Sequence, residues 1–271
     1  MVRVFESEEG LACIKRFNRE TEIMSDVVIS SEPFSGIFWE SKDGSTVATV
    51  HPTCINVFSI PSLQEIYSVS VSSAVIHGCI NVDGQFLAYR EGDQYHTHNI
   101  VSRSLIASFV CADGLTCWVN SEAVFIKKRD DCDRNVMRMV RHSENTSIDV
   151  PGSFAVEDDG RMYVLDTSGS DGFIKLGRHN DLTVEVYKTG QDMFIAACDV
   201  SPHFLLVSDG ERLLLFDRME RRLCFERETE CVQFVHITPD EKSFSVGMQT
   251  GVAEVFNAAG ECLTIIPAFY S

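Results

Sequence analysis

Val57-Phe58-Ser59, Leu215-Phe216-Asp217 and Val255-Phe256-Asn257 are one three-residue phrase written three times: an aliphatic residue, an aromatic, then a small polar residue. A weaker copy, His98-Asn99, follows Phe58-Ser59 by forty residues, and Phe256 follows Phe216 by forty. From His98 to Phe216 is 118 residues, close to three periods of thirty-nine. Each copy closes an apolar run and is followed by a turn and a second apolar run.

A second marker recurs beside the first. Asp43-Gly44, Asp83-Gly84 and Asp159-Gly160 each separate two apolar runs, and Pro202-His203 and Pro239-Asp240-Glu241 hold the same place later. Asp-Gly between apolar runs signals a hairpin, because glycine accepts a positive φ at little cost. Each unit then reads as strand, turn, strand, short loop, strand with the aromatic-polar pair, turn, strand. A period near forty with four strands per unit is the pattern of WD-type propeller blades. The fold class expected is all-β, a WD40-like β-propeller over residues 1–271 as a single domain. Full blades fall at about 34–71, 74–110, 113–150, 152–189, 193–228 and 230–267. In the first of them the strands are expected at 36–40, 46–50, 54–59 and 65–71. Unalternating runs such as Leu213-Leu214-Leu215-Phe216 fit strands buried on both faces between neighbouring blades.

The N-terminus repeats part of a blade. Val4-Phe5-Glu6 followed by Gly10-Leu11-Ala12-Cys13-Ile14 matches Val255-Phe256-Asn257 followed by Gly260 to Ile265. Residues 22–30 add one further strand, so a partial blade is expected over 1–30 and the ring has six or seven blades. An incomplete blade leaves a strand edge open to another chain.

Bulk composition narrows the function. No apolar run approaches the roughly eighteen residues of a membrane helix, and the N-terminus turns acidic at once, so a cytoplasmic location with no membrane partner is the expectation. The net charge of −17 opposes binding nucleic acid over a broad surface, since phosphate contacts need clustered Lys and Arg. The ten cysteines form no Cys-x-x-Cys and read as reduced, buried small hydrophobes.

Reactive chemistry is scarce. His96-x-His98 sets two imidazoles on one strand, but no nearby acid or thiol completes a metal set, and a satisfied surface pair is the expectation. Cys111 and Cys117 lack zinc-ribbon spacing. Ser168-Gly169-Ser170-Asp171-Gly172 does not fit a nucleophile elbow. Asp130-Asp131 and Asp158-Asp159 sit where turns favour Asp. The reading is of a non-enzyme with no cofactor and no metal. Two basic clusters stand out: Lys127, Lys128 and Arg129, continuing through Arg134, Arg138 and Arg141; and Arg212, Arg218, Arg221, Arg222 and Arg227. Both are expected in strand connections, either as solvated loops of mixed charge or as contacts for rRNA phosphates or an acidic protein. Asp130, Asp131 and Asp133 partly neutralise the first, so the second is the better candidate.

The first ninety residues resemble the start of the eukaryotic translation initiation factor 2A family. Ser7-Glu8-Glu9-Gly10-Leu11 matches that family's Ser-Glu-Gly-Leu-like turn with one extra acid. Ile37 to Thr46 carries the Ser-Lys-Asp-Gly turn as Ser41-Lys42-Asp43-Gly44, Ile55-Asn56-Val57 holds the Asn-Val place, and Phe86-Leu87-Ala88-Tyr89 ends the next blade's second strand. The resemblance implies a non-enzymatic propeller that binds the small ribosomal subunit, through protein or rRNA, and assists initiator tRNA delivery. Other proteins would dock on blade-top loops or the open edge. The alternative reading is a WD-repeat scaffold subunit of a non-ribosomal complex.

Overall fold

The computed structural model describes residues 2–6, 10–17, 24–129, 135–143, 147–151, 154–158, 161–166, 172–178, 184–189 and 195–267. Every regular element among them is a β-strand. The first sheet has three strands in the order β1 (Val2–Glu6), β2 (Leu11–Phe17), β3 (Met24–Pro33). Six four-stranded antiparallel meanders follow. The first is β4 (Phe38–Glu40), β5 (Thr46–Val50), β6 (Cys54–Ser59) and β7 (Gln64–Ser70). The second is β8 (Val75–Ile80), β9 (Phe86–Glu91), β10 (Gln94–Asn99) and β11 (Ser104–Val110). The third is β12 (Thr116–Val119), β13 (Ala123–Arg129), β14 (Asn135–Arg141) and β15 (Ser147–Pro151). The fourth is β16 (Phe154–Asp158), β17 (Arg161–Asp166), β18 (Phe173–Arg178) and β19 (Val184–Lys188). The fifth is β20 (Ala197–Val200), β21 (Phe204–Ser208), β22 (Arg212–Asp217) and β23 (Arg222–Glu228). The last is β24 (Val232–Ile237), β25 (Ser243–Met248), β26 (Ala253–Asn257) and β27 (Cys262–Ile266).

The chain forms two compact units. One carries β1–β13, the other β16–β27, and the residues of β14 and β15 are divided between the two. Within each unit the core lies in layers between sheets, because side chains two apart on a strand share a face. Leu87 and Tyr89 of β9 pack with Ala48, Val50, Ile55 and Val57 of the preceding sheet. Ala88, between them, packs with Cys117, Val119, Val124 and Ile126 of the following one. In the second unit Leu205, Val207, Leu214 and Phe216 meet Leu165, Leu176 and Tyr187 on one side. Leu206, Leu213 and Leu215 meet Val235, Ile237 and Phe244 on the other. The unalternating Leu213–Phe216 run is therefore a strand buried on both faces.

The hairpins form where the sequence marks them. Gly44 and Gly84 adopt φ of +69° and +72°, in the left-handed region that a β-carbon disfavours. Asn81 stabilises its turn by accepting the backbone N–H groups of Gln85 (2.8 Å) and Phe86 (2.7 Å) on its side-chain oxygen. Asp159-Gly160 lies outside the described residues. Some boundaries move: the first strand of the first meander is Phe38–Glu40 instead of 36–40, its fourth is Gln64–Ser70 instead of 65–71, and the N-terminal extra strand is Met24–Pro33 instead of 22–30.

Candidate interaction surface

The turn after the third strand explains the recurring aromatic-polar pair. In four sheets the ladder to the fourth strand slips at one place: between Val57 and Phe58, Thr97 and His98, Leu215 and Phe216, and Val255 and Phe256. Each slip is a β-bulge that sharpens the local twist. The polar residue next in sequence then holds the turn. Asn99 accepts the Ser102 amide at 2.8 Å. Asp217 accepts those of Met219 (2.8 Å) and Glu220 (2.9 Å), and Asn257 those of Ala259 (3.0 Å) and Glu261 (2.9 Å).

The first residue of each turn donates its N–H to the hairpin between the first and second strands of its own sheet. Ile60 donates to Ser45, Ile100 to Gln85, Arg218 to His203 and Ala258 to Lys242. This tether turns the residue inward, and Ile60 and Ile100 are buried. The second residue is left at the tip, where Val101 is 74% and Met219 75% exposed.

Arg218 takes the place that isoleucine holds in two other sheets, and its side chain is only 8% exposed. Glu185 on β19, in the neighbouring sheet, holds its guanidinium with two hydrogen bonds, Nε at 3.1 Å and Nη2 at 2.7 Å. Nη1 donates to the Ser201 carbonyl at 2.5 Å, and the group lies 4.7 Å from the centre of the Tyr163 ring. Tyr187 also donates its hydroxyl to Glu185. Burial works against the Glu185 charge, yet the bonds from Arg218 and Tyr187 outweigh it and hold its pKa below the usual carboxylate range. Burial likewise opposes the Arg218 charge, and bonding to Glu185 and Tyr163 more than reverses that. Arg218 is a clasp between sheets.

The other residues of this cluster divide. Arg212 begins β22 and pairs with Asp209 at 2.9 Å, and Arg227 lies in β23 and pairs with Glu254 of β26 at 3.0 Å, 5.1 Å from the Phe256 ring centre. Both therefore sit in strands, not in the connections expected for them. Arg221 and Arg222 stand at the exposed end of the turn; Arg222 is 66% exposed and reaches Glu220 at 2.5 Å. The first cluster is also strand-borne: Lys127, Lys128 and Arg129 end β13, and Lys128 is buried with its ammonium 3.9 Å from Asp113. Arg138 and Arg141 lie in β14, while Arg134 and the acids Asp130, Asp131 and Asp133 fall outside the described residues.

The histidine pair is not the surface pair expected. His98 is 6% exposed and hydrogen-bonds the Tyr67 hydroxyl of the neighbouring sheet at 2.7 Å through Nδ1. Its ring stacks on Tyr89 at 5.6 Å. His96 contacts Ser108 (3.0 Å) and Glu91 (3.8 Å). Both imidazoles pack on the Tyr89 ring, and the bulge in the ladder to β11 falls between Thr97 and His98. No group of three potential metal ligands forms among the described residues. The cysteines are not uniformly buried: Cys13, Cys111 and Cys117 are, whereas Cys224, Cys231 and Cys262 are exposed.

Sequence spacing does not reveal Arg90. Its guanidinium donates to the carbonyls of Gly92 (2.8 Å), Gly114 (2.5 Å) and Ala112 (2.6 Å), tying β9 to the loop that enters β12. Glu91 in turn accepts the Ser72 and Ser73 amides at 2.5 and 2.7 Å. In β8, just before β12 and in β24, Ile76, Leu115 and Phe234 are exposed apolar residues.

No protein-family model matches this chain, and no curated protein does. Solved structures match it in shape. Hsv2 of Kluyveromyces marxianus is 10% identical, with 86% of this chain and 82% of that one covered, at a TM-score of 0.70. The C-terminal WD40 domain of Sif2 is 12% identical over 94% of this chain and 78% of its own, at 0.64. A chain of the mitotic checkpoint complex is 14% identical over 99% and 85%, also at 0.64. The fold is a WD40-like β-propeller with six four-stranded blades and a three-stranded N-terminal one.

Proposed function

We propose that the protein is a non-catalytic propeller scaffold that docks protein partners within a multi-component assembly. The observation that carries this reading is the contrast between the fate of basic side chains in and beside the strands and that of the apolar groups at the blade turns. Arg212, Arg218, Arg227 and Lys128 are committed to carboxylates of the chain itself. Val101 and Met219 are offered to solvent at the tips. Apolar tips on a rigid frame suit protein contact, whereas phosphate binding needs uncommitted cations. The likeness to a chain of the mitotic checkpoint complex supports the same reading. The test is affinity purification with quantitative cross-linking: a stoichiometric partner should cross-link near Met219 or Val101 and be lost from the folded Met219→Glu, Val101→Glu double variant. Retention of every partner by that variant removes the proposal.

A second reading, small-subunit binding as in the initiation factor 2A family with help to initiator tRNA, is favoured by Arg221 and Arg222 exposed beside Met219. It is tested by sedimentation at low salt with both changed to glutamate and Arg218 left intact, since Arg218 belongs to the core. Wild-type protein absent from small-subunit fractions, or variant protein still present there, counts against it.

A further inference from the structure

Cys79 and Cys117 lie thirty-eight residues apart on first strands of neighbouring sheets, β8 and β12, with their sulfurs 3.8 Å apart. The position is one the architecture uses repeatedly to join sheets. One repeat earlier, the Trp39 indole of β4 lies over Gly78 of β8 so closely that a β-carbon on Gly78 would fall 2.7 Å from the ring. In the second unit Asp199 of β20 accepts the Ile237 amide of β24 at 2.7 Å and faces His236 at 3.3 Å. Where those pairs are an indole on a glycine and a carboxylate on an amide, this pair is two thiols.

We propose that Cys79 and Cys117 form a reversible two-electron redox couple, a disulfide site that locks the β8–β11 sheet to the β12–β15 sheet when oxidised by a hydroperoxide. The sulfurs need approach by only about 1.8 Å to reach bonding distance. Cys79 is the half-buried member and Cys117 the buried one, so oxidant reaches Cys79 first. The Cys79 thiolate attacks the peroxide oxygen: an S–O bond forms, the O–O bond breaks, and the alcohol or water leaves with a proton. Cys117 then attacks that sulfur: the S–S bond forms, the S–O bond breaks, and water departs with the Cys117 proton. Two thiols and one hydroperoxide yield one disulfide, one alcohol (or water) and one water. A dithiol reductant reverses the step by exchange.

The nearby third thiol is otherwise engaged. Cys111 donates its S–H to Asp113 at 3.3 Å, and burial followed by that hydrogen bond raises its pKa, so little thiolate is present to compete.

The experiment is peptide mapping of the purified full chain after one equivalent of hydrogen peroxide, with thiols blocked before digestion without reductant. The expected product is a cross-linked pair of peptides containing Cys79 and Cys117, dominant over other intramolecular linkages. It should persist when the exposed Cys224, Cys231 and Cys262 are changed to serine and vanish in Cys79→Ser. Oxidation should also raise the melting temperature of the wild type by about 5–10 °C, reversed by dithiothreitol. Recovery of Cys79 and Cys117 as blocked thiols while other cysteines have oxidised overturns the proposal. That readout uses the unmutated protein and stands even if a serine variant fails to fold.

Discussion

Arg218 and His98 occupy places where other blades carry ordinary core residues. Arg218 stands where Ile60 and Ile100 stand, so its charge survives only because Glu185, Tyr163 and the Ser201 carbonyl surround it. Arg218→Ile alone leaves the Glu185 carboxylate without its cation, and we expect it to cost about 3 kcal/mol of stability in urea unfolding. Adding Glu185→Leu should recover most of that loss, because an apolar pair of similar volume replaces the ion pair. The sequence shows Arg218 in a turn after Asp217, but nothing local announces a partner thirty-three residues earlier in another sheet. His98 takes the aromatic place held by Phe58, Phe216 and Phe256. Burial, followed by repulsion from His96, lowers its pKa from 6.5 to about 4. Burial followed by Arg90 does the same to His77, also to about 4. Between those values the unfolded chain takes up protons that the folded chain refuses. The share of stability set by these two histidines is full above pH 6.5, is lost as pH drops toward 4, and changes no further below it. His98→Phe should remove about 2 kcal/mol of that loss, with His77 keeping its own share, measured as unfolding free energy against pH.

At the scale of the element, the third-to-fourth strand turn is a standard part with interchangeable positions. Its fourth residue lies in the left-handed region in three sheets: Leu63 at φ +54°, Arg103 at +54° and Arg221 at +51°. Glycine relieves that strain, so Arg103→Gly should stabilise by about 0.5 kcal/mol in thermal melts. Leu63→Gly should not, because the Leu63 side chain packs on Val47, Phe58 and Ile60 and its loss outweighs the relief. The first strands obey a different constraint. A β-carbon on Gly78 would lie 2.6 Å from the Ala88 carbonyl as well as against Trp39, and the backbone oxygen cannot rotate away. Gly78→Ala should cost about 2 kcal/mol, read as a lower denaturant midpoint. The aromatic-polar pairs and Asp-Gly turns were legible because they are local: a bulge, an Asx-type cap and a positive φ each need a particular residue at a particular place. Which cations are exposed was not legible, since Arg212, Arg218 and Arg227 look alike in sequence and differ only in what the neighbouring strand or sheet presents.

For the whole molecule the repeat sets both what could be read and how stability should be distributed. Thr46–Val50 and Cys54–Ser59 fall where expected because periodicity alone places them. The N-terminal sheet has the further strand expected after its first two, but the bounds of that strand differ: β3 runs ten residues to Pro33, with no aromatic-polar pair to mark them. In a repeat architecture each sheet buries its faces only against its neighbours, so energy is a sum of blade terms and nearest-neighbour terms. Within the second unit, the β20–β23 sheet makes both kinds of contact. It shares one core layer with β16–β19 through Leu205, Val207, Leu214 and Phe216, and another with β24–β27 through Leu206, Leu213 and Leu215. The Arg218–Glu185 clasp lies only on the first of these boundaries, whereas the Arg227–Glu254 pair lies on the second. Hydrogen exchange should separate them. Arg218→Ile should raise amide exchange in β19 and β22 by about a hundredfold, matching a loss near 3 kcal/mol, and leave β25 and β26 close to wild type. Arg227→Ala should act on β23 and β26 instead, with a smaller rise because that side chain is 40% exposed and its pairing is partly screened. Equal rises throughout the unit for either variant would mean that the sheets open as one block and that the nearest-neighbour account is wrong.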